Sequence, residues 1–130
     1  MALTPDLLLA SCRRLFLRDY EMWVNIGVHA FEKRAEQRVI VNVDLFVPLE
    51  LSTPQADDPS EVLDYDFIRR TIAERVGRGH IHLQETLCDD ILEAMLAHPW
   101  VRAARVSTAK PDVYPDCAAV GVEVFGSKPL

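Results

Sequence analysis

The segment Gln37–Leu49 constrains the fold more than any other part of this chain. Val39, Val41, Val43, Leu45 and Val47 fall on one side of an extended strand, and Arg38, Asn42 and Asp44 fall on the other. Ile40 and Phe46 interrupt the polar side, so both faces of this strand call for at least partial cover. Ahead of it, Leu15 and Leu17 alternate with polar residues from Arg14 to Tyr20, and a second apolar run covers Met22 to Val28. Gly27 offers the freedom that a bulge or bend would need there. After the strand, Ser52 to Glu61 holds Pro54, Asp57, Asp58 and Pro59 with no apolar period, which reads as a loop.

Helical spacing then takes over. Asp64 is placed to cap a helix carrying Phe67, Ile68, Ile72 and Val76, and Gly77 and Gly79 stop it. A second helix is expected from about Gln84 to His98, with Leu83, Leu87, Ile91 and Met95 at steps of four, before Pro99. Strand signals return at Trp100–Thr108 and at Cys117–Phe125, where Ala118, Val120, Val122 and Val124 share a face. The order β-β-α-α-β-β implies a two-layer α+β domain with mostly antiparallel pairing. At 130 residues the chain suits one domain, with a core over about 13–126 and tails at 1–12 and 127–130. Two helices cover one face of four strands, leaving the other face and the sheet edges open. Edge-to-edge association of several copies would protect both, so a homo-oligomer is expected.

Composition narrows the partners. Fourteen basic residues against twenty acidic ones give a net charge of −6, which disfavours a nucleic-acid or anionic-membrane surface. No stretch approaches the roughly 18 apolar residues that cross a bilayer. Leu7-Leu8-Leu9-Ala10 is too short, and lacks the preceding basic segment, to serve as a signal peptide. Cys12, Cys88 and Cys117 are odd in number and widely spaced, as free thiols in a reducing, cytoplasmic setting would be.

Few residues stand out as chemical. Lys110 closes a strand ahead of Pro111, a place where a side chain can be presented at a site or simply be solvated. Glu32 lies between Phe31 and Lys33 in the first loop, as a surface ion-pair member would. Glu85 opens the second helix, where the helix N-terminus favours a carboxylate, and is equally an ordinary helix-start residue. Tyr65 stands between Asp64 and Asp66, with packing its commoner fate. His80 and His82 lack a third ligand at a useful interval, so no metal site is expected. The acidic run from Asp57 to Asp66 lacks the pattern of a calcium loop.

The ordered set of segments resembles the dihydroneopterin aldolase family, which includes the related triphosphate epimerases. The segments are Ile26-Gly27-Val28-His29-Ala30-Phe31-Glu32 with Gln37-Arg38, Val62-Leu63-Asp64-Tyr65, Leu83-Gln84-Glu85-Thr86-Leu87, Ala109-Lys110-Pro111 and Val120-Gly121-Val122-Glu123-Val124. The resemblance implies the tunnelling fold (T-fold), whose subunits join into ring barrels as tetramers or octamers with sites between subunits. It implies a retro-aldol cleavage of 7,8-dihydroneopterin without metal, organic cofactor or lysine Schiff base. Residue by residue, it implies catalytic roles for Lys110, Tyr65 of a neighbouring subunit and Glu32. It also implies pterin binding by Glu85 and by the backbone of Leu63 and Gln84. His29-Ala30-Phe31 departs from the aromatic-acidic-aromatic stretch of some members. Tyr114 and Cys117 have no counterpart in the pattern and read as a turn residue and a small buried thiol.

Overall fold

The alternating segment forms the second strand of a four-stranded antiparallel sheet, in a computed structural model that describes residues 4–129. The strands are β1 (Cys12–Val24), β2 (Gln37–Pro48), β3 (Ala103–Lys110) and β4 (Val120–Ser127), paired in that order. Helices α1 (Pro5–Ser11), α2 (Leu49–Ser52), α3 (Asp66–Val76) and α4 (Gln84–Leu96) complete the framework, with a short 3-10 turn at Pro59–Glu61. Apart from the short α1 and α2, which were not expected, the order is the expected β-β-α-α-β-β, and the α+β class holds.

Helices α3 and α4 cover one face. Val39, Val41, Val43, Leu45 and Val47 point into that layer and are fully buried against Ile68, Ile72, Leu87, Ile91 and Met95. Each such side chain contributes about 1.5–3 kcal/mol relative to exposure, so this layer dominates the stability of the fold. The helix stripes spaced at three and four residues are what permit it.

The opposite face differs from the expectation of an uncovered surface. Residues 5–11, expected as part of a tail, form α1 because Thr4 accepts the Leu7 N–H, Pro5 occupies the first turn and Leu8 has a place to go. Leu8 packs on Phe46 and Ala103, which explains why Phe46 interrupts the polar side of β2. The rest of that face stays open, with Phe16, Trp23 and Phe125 about half exposed or more.

Several boundaries shift, among them β3, which runs Ala103–Lys110 rather than Trp100–Thr108. β1 is one strand rather than two runs, and its bulge lies at Arg18–Asp19 instead of Gly27. Asp19 adopts φ 54°, and Asn42 on β2 secures it by accepting its N–H at 2.7 Å. At α3, Tyr65 takes the cap position while Asp64 supplies the acceptor, 2.9 Å from the Asp66 N–H. β4 starts at Val120 rather than Cys117, and the Lys128 N–H holds the expected C-terminal tail to the Arg102 carbonyl at 2.9 Å. The expected loop 52–61 is organised by Glu61, whose carboxylate accepts the N–H groups of Gln55, Ala56 and Asp58.

Candidate functional site

Gly27 begins the site. It leaves β1 with φ 128°, a conformation glycine adopts without strain, and a Cβ there would collide with the Glu32 side chain. The chain can therefore fold back so tightly that Glu32 points inward beneath its own loop. A parallel bridge between Ile26 and Ile81 fixes the loop from outside, with Gly27 N–H donating to the Ile81 carbonyl at 2.9 Å. His80 adds a contact of 2.8 Å from Nε2 to the Gly27 carbonyl, so this histidine is structural.

Glu32 and Lys110 meet at that point. The Lys110 Nζ donates to Glu32 Oε2 at 2.9 Å, and both residues are at least nine-tenths buried. Gln37 Nε2 also donates to Oε2 at 2.9 Å and to the Ile26 carbonyl, while the His29 N–H donates to Oε1 at 3.2 Å. Burial on its own would raise the Glu32 pKa. The hydrogen bonds from Lys110, Gln37 and the His29 backbone outweigh it and bring the carboxyl down to about 2. Glu32 is thus a carboxylate at neutral pH, and the Lys110 side chain keeps donors to spare.

Lys110 reaches this position because it ends β3, opposite Val120 on β4. Beside it, Gly121 is pressed so close to the Thr108 carbonyl that a Cβ would overlap that backbone. A cavity of about 290 Å³ opens on the pair, with Trp23, Phe31, Gln37, Arg38 and Asp112 among its walls.

The remaining expected residues lie at or just ahead of the starts of α3 and α4. Gln84 opens α4 and ties it to the strands, accepting from Thr108 Oγ1 at 3.0 Å and donating to the Val120 carbonyl at 3.4 Å. Its side chain is structural, whatever its backbone does. Glu85 follows it, exposed, with no hydrogen-bond or ion-pair partner among the described residues. Leu63 is buried in the main core. Tyr65 is 71% exposed, and none of its contacts among the described residues joins it to Glu32 or Lys110 of the same chain. The fold therefore brings Glu32 and Lys110 together and leaves Glu85 and Tyr65 free.

Gln37 was given no role from the sequence, although it bonds the central carboxylate directly. Its signals are its place in the Gln37-Arg38 pair and an amide at the mouth of the most apolar strand. Tyr114 lies exposed in the turn after β3, as expected, but Cys117 is exposed rather than buried, because the 111–119 segment stands off the core.

Comparison with known proteins bears on this geometry. The family model for dihydroneopterin aldolase matches residues 15–125, nearly the whole chain and every element from β1 to β4. The chain belongs to the dihydroneopterin aldolase family. A dihydroneopterin aldolase of Burkholderia thailendensis, solved bound to guanine, is 60% identical, covers 94% of this chain and 96% of its own, and superposes with a TM-score of 0.86. The Escherichia coli K12 dihydroneopterin aldolase is 26% identical over 111 residues, 83% of this chain and 88% of that protein. A dihydroneopterin triphosphate 2'-epimerase of Pseudomonas aeruginosa is 24% identical over 115 residues, 88% of this chain and 93% of that protein. The fold is accordingly the T-fold of this family, and the chain is an enzyme, a lyase of the dihydroneopterin aldolase type.

Proposed function

We propose that the Glu32–Lys110 pair cleaves 7,8-dihydroneopterin by a retro-aldol reaction, releasing 6-hydroxymethyl-7,8-dihydropterin and glycolaldehyde in folate biosynthesis. The observation that supports this best is the buried pair itself: a lysine ammonium and a carboxylate 2.9 Å apart at the wall of a cavity. Buried ion pairs are poor sources of stability, so retention of one at a cavity wall points to chemistry.

In the proposed reaction the side-chain hydroxyl beyond the scissile bond loses its proton and becomes the carbonyl of glycolaldehyde. The carbon–carbon bond breaks, and its electrons pass into the ring C=N of the substrate. Because the substrate supplies this electron sink, no lysine Schiff base and no metal is required. Lys110 donates through ordered water toward the ring nitrogen that gains charge, and later takes the proton back. Glu32 orients the side-chain hydroxyls. The phenol of Tyr65 from a second copy protonates the enol-type carbon left behind, and the proton lost by the hydroxyl returns to the phenol through water, so the cycle closes.

Glu85 anchors the ring. A pterin presents an amino group and an adjacent ring N–H, two parallel donors that one carboxylate can accept together. Its unpartnered state among the described residues supports that role, and guanine carries the same donor edge. In this reading the backbone of Leu63 and Gln84 also holds the ring.

We also read the whole chain as one domain that works as a ring, a tetramer or two stacked tetramers, with sites between copies. The half-exposed Phe16, Trp23 and Phe125 on the open sheet face support association. The three free cysteines suit the cytoplasm, and no helix of the described residues is long and apolar enough to cross a membrane. Nucleic acid is no part of this reading, in keeping with a net charge of −6. The epimerase relative supports a side activity, because re-addition of glycolaldehyde to the opposite face yields the epimer.

Incubation with 7,8-dihydroneopterin, followed by oxidation and chromatography of the fluorescent pterins, tests the reading. The 6-hydroxymethyl product is expected from the wild type. Accumulation of an epimer alone would replace cleavage by epimerisation as the main activity.

A further inference from the structure

The cavity beside Lys110 contains a second cation, Arg38, whose Nε/Nη2 edge is taken up by a carboxylate. Arg38 donates from Nε and Nη2 to the two oxygens of Asp112, at 3.2 and 2.8 Å, and its Nη1 lies 3.5 Å from Glu21 Oε1. Asp112 reaches Arg38 from the turn two residues beyond Lys110, so the pair crosses the rim of the cavity. The Arg38 hydrogen bonds hold the Asp112 carboxyl below its usual range.

Every cation of this wall is therefore matched by a carboxylate: Lys110 by Glu32, Arg38 by Asp112 and Glu21. Glu36 adds a further negative charge to the same wall. A phosphate arrives with a charge of about −1.5 to −2 and needs free donors in a fork, which arginine supplies well when unoccupied. Here that fork is filled from within.

We propose that Asp112, by occupying Arg38, makes the cavity select against phosphorylated pterin substrates, and that Arg38 is a latent phosphate-binding group. The inference rests on the pterin reading above and adds to it a determinant of substrate class. Removing the Asp112 charge leaves Arg38 in place with its planar donors free. The change acts on ground-state binding of the phosphate, so it enters through KM rather than kcat.

The test compares kcat/KM for 7,8-dihydroneopterin and for its triphosphate in the wild type, Asp112→Asn and the double variant Arg38→Met/Asp112→Asn. Wild type is expected to favour the unphosphorylated compound. Asp112→Asn is expected to shift the ratio toward the triphosphate by about tenfold, through a lower KM, with the gain eroded by salt. The double variant is expected to lose the gain, and Glu21→Gln, which frees only the longer contact, to shift the ratio less. An unchanged ratio in Asp112→Asn, a gain that survives loss of Arg38, or a wild type indifferent to the phosphate would overturn the inference. A wild type that cleaves neither compound would instead overturn the aldolase reading on which it stands.

Discussion

Two halves of the candidate site are built to different degrees. Glu32 and Lys110 are buried, hydrogen-bonded to each other and to Gln37, and fixed by a glycine turn that admits no other residue without a clash. Glu85 and Tyr65 are exposed and hold no comparable partner among the described residues. The first half is finished by the fold of one chain. In the proposed reaction something else completes the second half: a ring edge for the Glu85 carboxylate, and a neighbouring copy's cavity for the Tyr65 hydroxyl. The difference teaches that burial and pairing mark the groups one chain positions by itself, while exposure marks groups left for a ligand or a second copy to engage in the proposed reaction.

The largest effect that can break this contrast is at Lys110. Lys110→Ala is expected to lower cleavage by about a thousandfold, the scale of a positioned proton donor. It also leaves the buried Glu32 carboxylate unpaired, so its thermal unfolding should fall together with its rate. Equal rates in wild type and variant would remove Lys110 from the chemistry.

Next in size is Glu85→Gln, which loses an accepting oxygen on an exposed helix start. A rise in KM of about a hundredfold is expected, since a charged acceptor for two donors is replaced by one that repels one of them. Stability should change by less than about 0.5 kcal/mol, as for other exposed positions. A variant that lost stability but kept its KM would reverse the contrast between the two halves.

Gly27→Ala sharpens the comparison from the buried side. The new methyl group meets Glu32 and the positive φ is strained, together costing about 3 kcal/mol. Thermal denaturation should register that loss, and the displaced Glu32 should lower kcat even in the fraction that remains folded.

The last test is a dependence on acidity, confined to a pH range far below neutrality. The Glu32 pKa falls from 4.5 to about 2 on folding, so its contribution to stability is complete above pH 4.5 and disappears as the pH drops toward 2. Denaturant titrations across that window should show a decline that Glu32→Gln flattens. An identical slope in the variant would mean that other carboxylates account for acid sensitivity.

The parts of the molecule that sequence reveals are those governed by short periods. Val39 to Val47 announce a strand because every second residue is apolar, and Leu87, Ile91 and Met95 announce a helix because every fourth one is. Helix α1 escaped that logic. Four apolar residues are too few for a period, and the segment is helical because Leu8 finds Phe46 on a strand far along the chain. The bulge at Arg18–Asp19 escaped it as well, since Asn42 of the adjacent strand holds it.

The site shows the same division. Lys110, Glu32, Glu85 and Tyr65 stand out by residue type and position, but each has an ordinary structural reading too, and only the ordered resemblance to a family assigns them roles. Gln37 remained without a role because its partners, Glu32 and the Ile26 carbonyl, become neighbours only through the turn at Gly27. The engagement of Arg38 by Asp112 is likewise invisible until β2 and the 111–119 turn come together.

Mixing two inactive variants tests most directly whether one chain finishes half of the site and a second copy completes it. Tyr65→Phe, expected to lose about a hundredfold in kcat, and Lys110→Ala each cripple a different half. Unfolding and refolding them together allows mixed rings, in which some sites pair an intact Lys110 from one copy with an intact Tyr65 from another. Random assembly predicts recovery of about a quarter of wild-type activity from the mixture. If the mixed sample forms hybrid rings and shows no more than the two variants measured apart, the site is confined to one chain and the account fails.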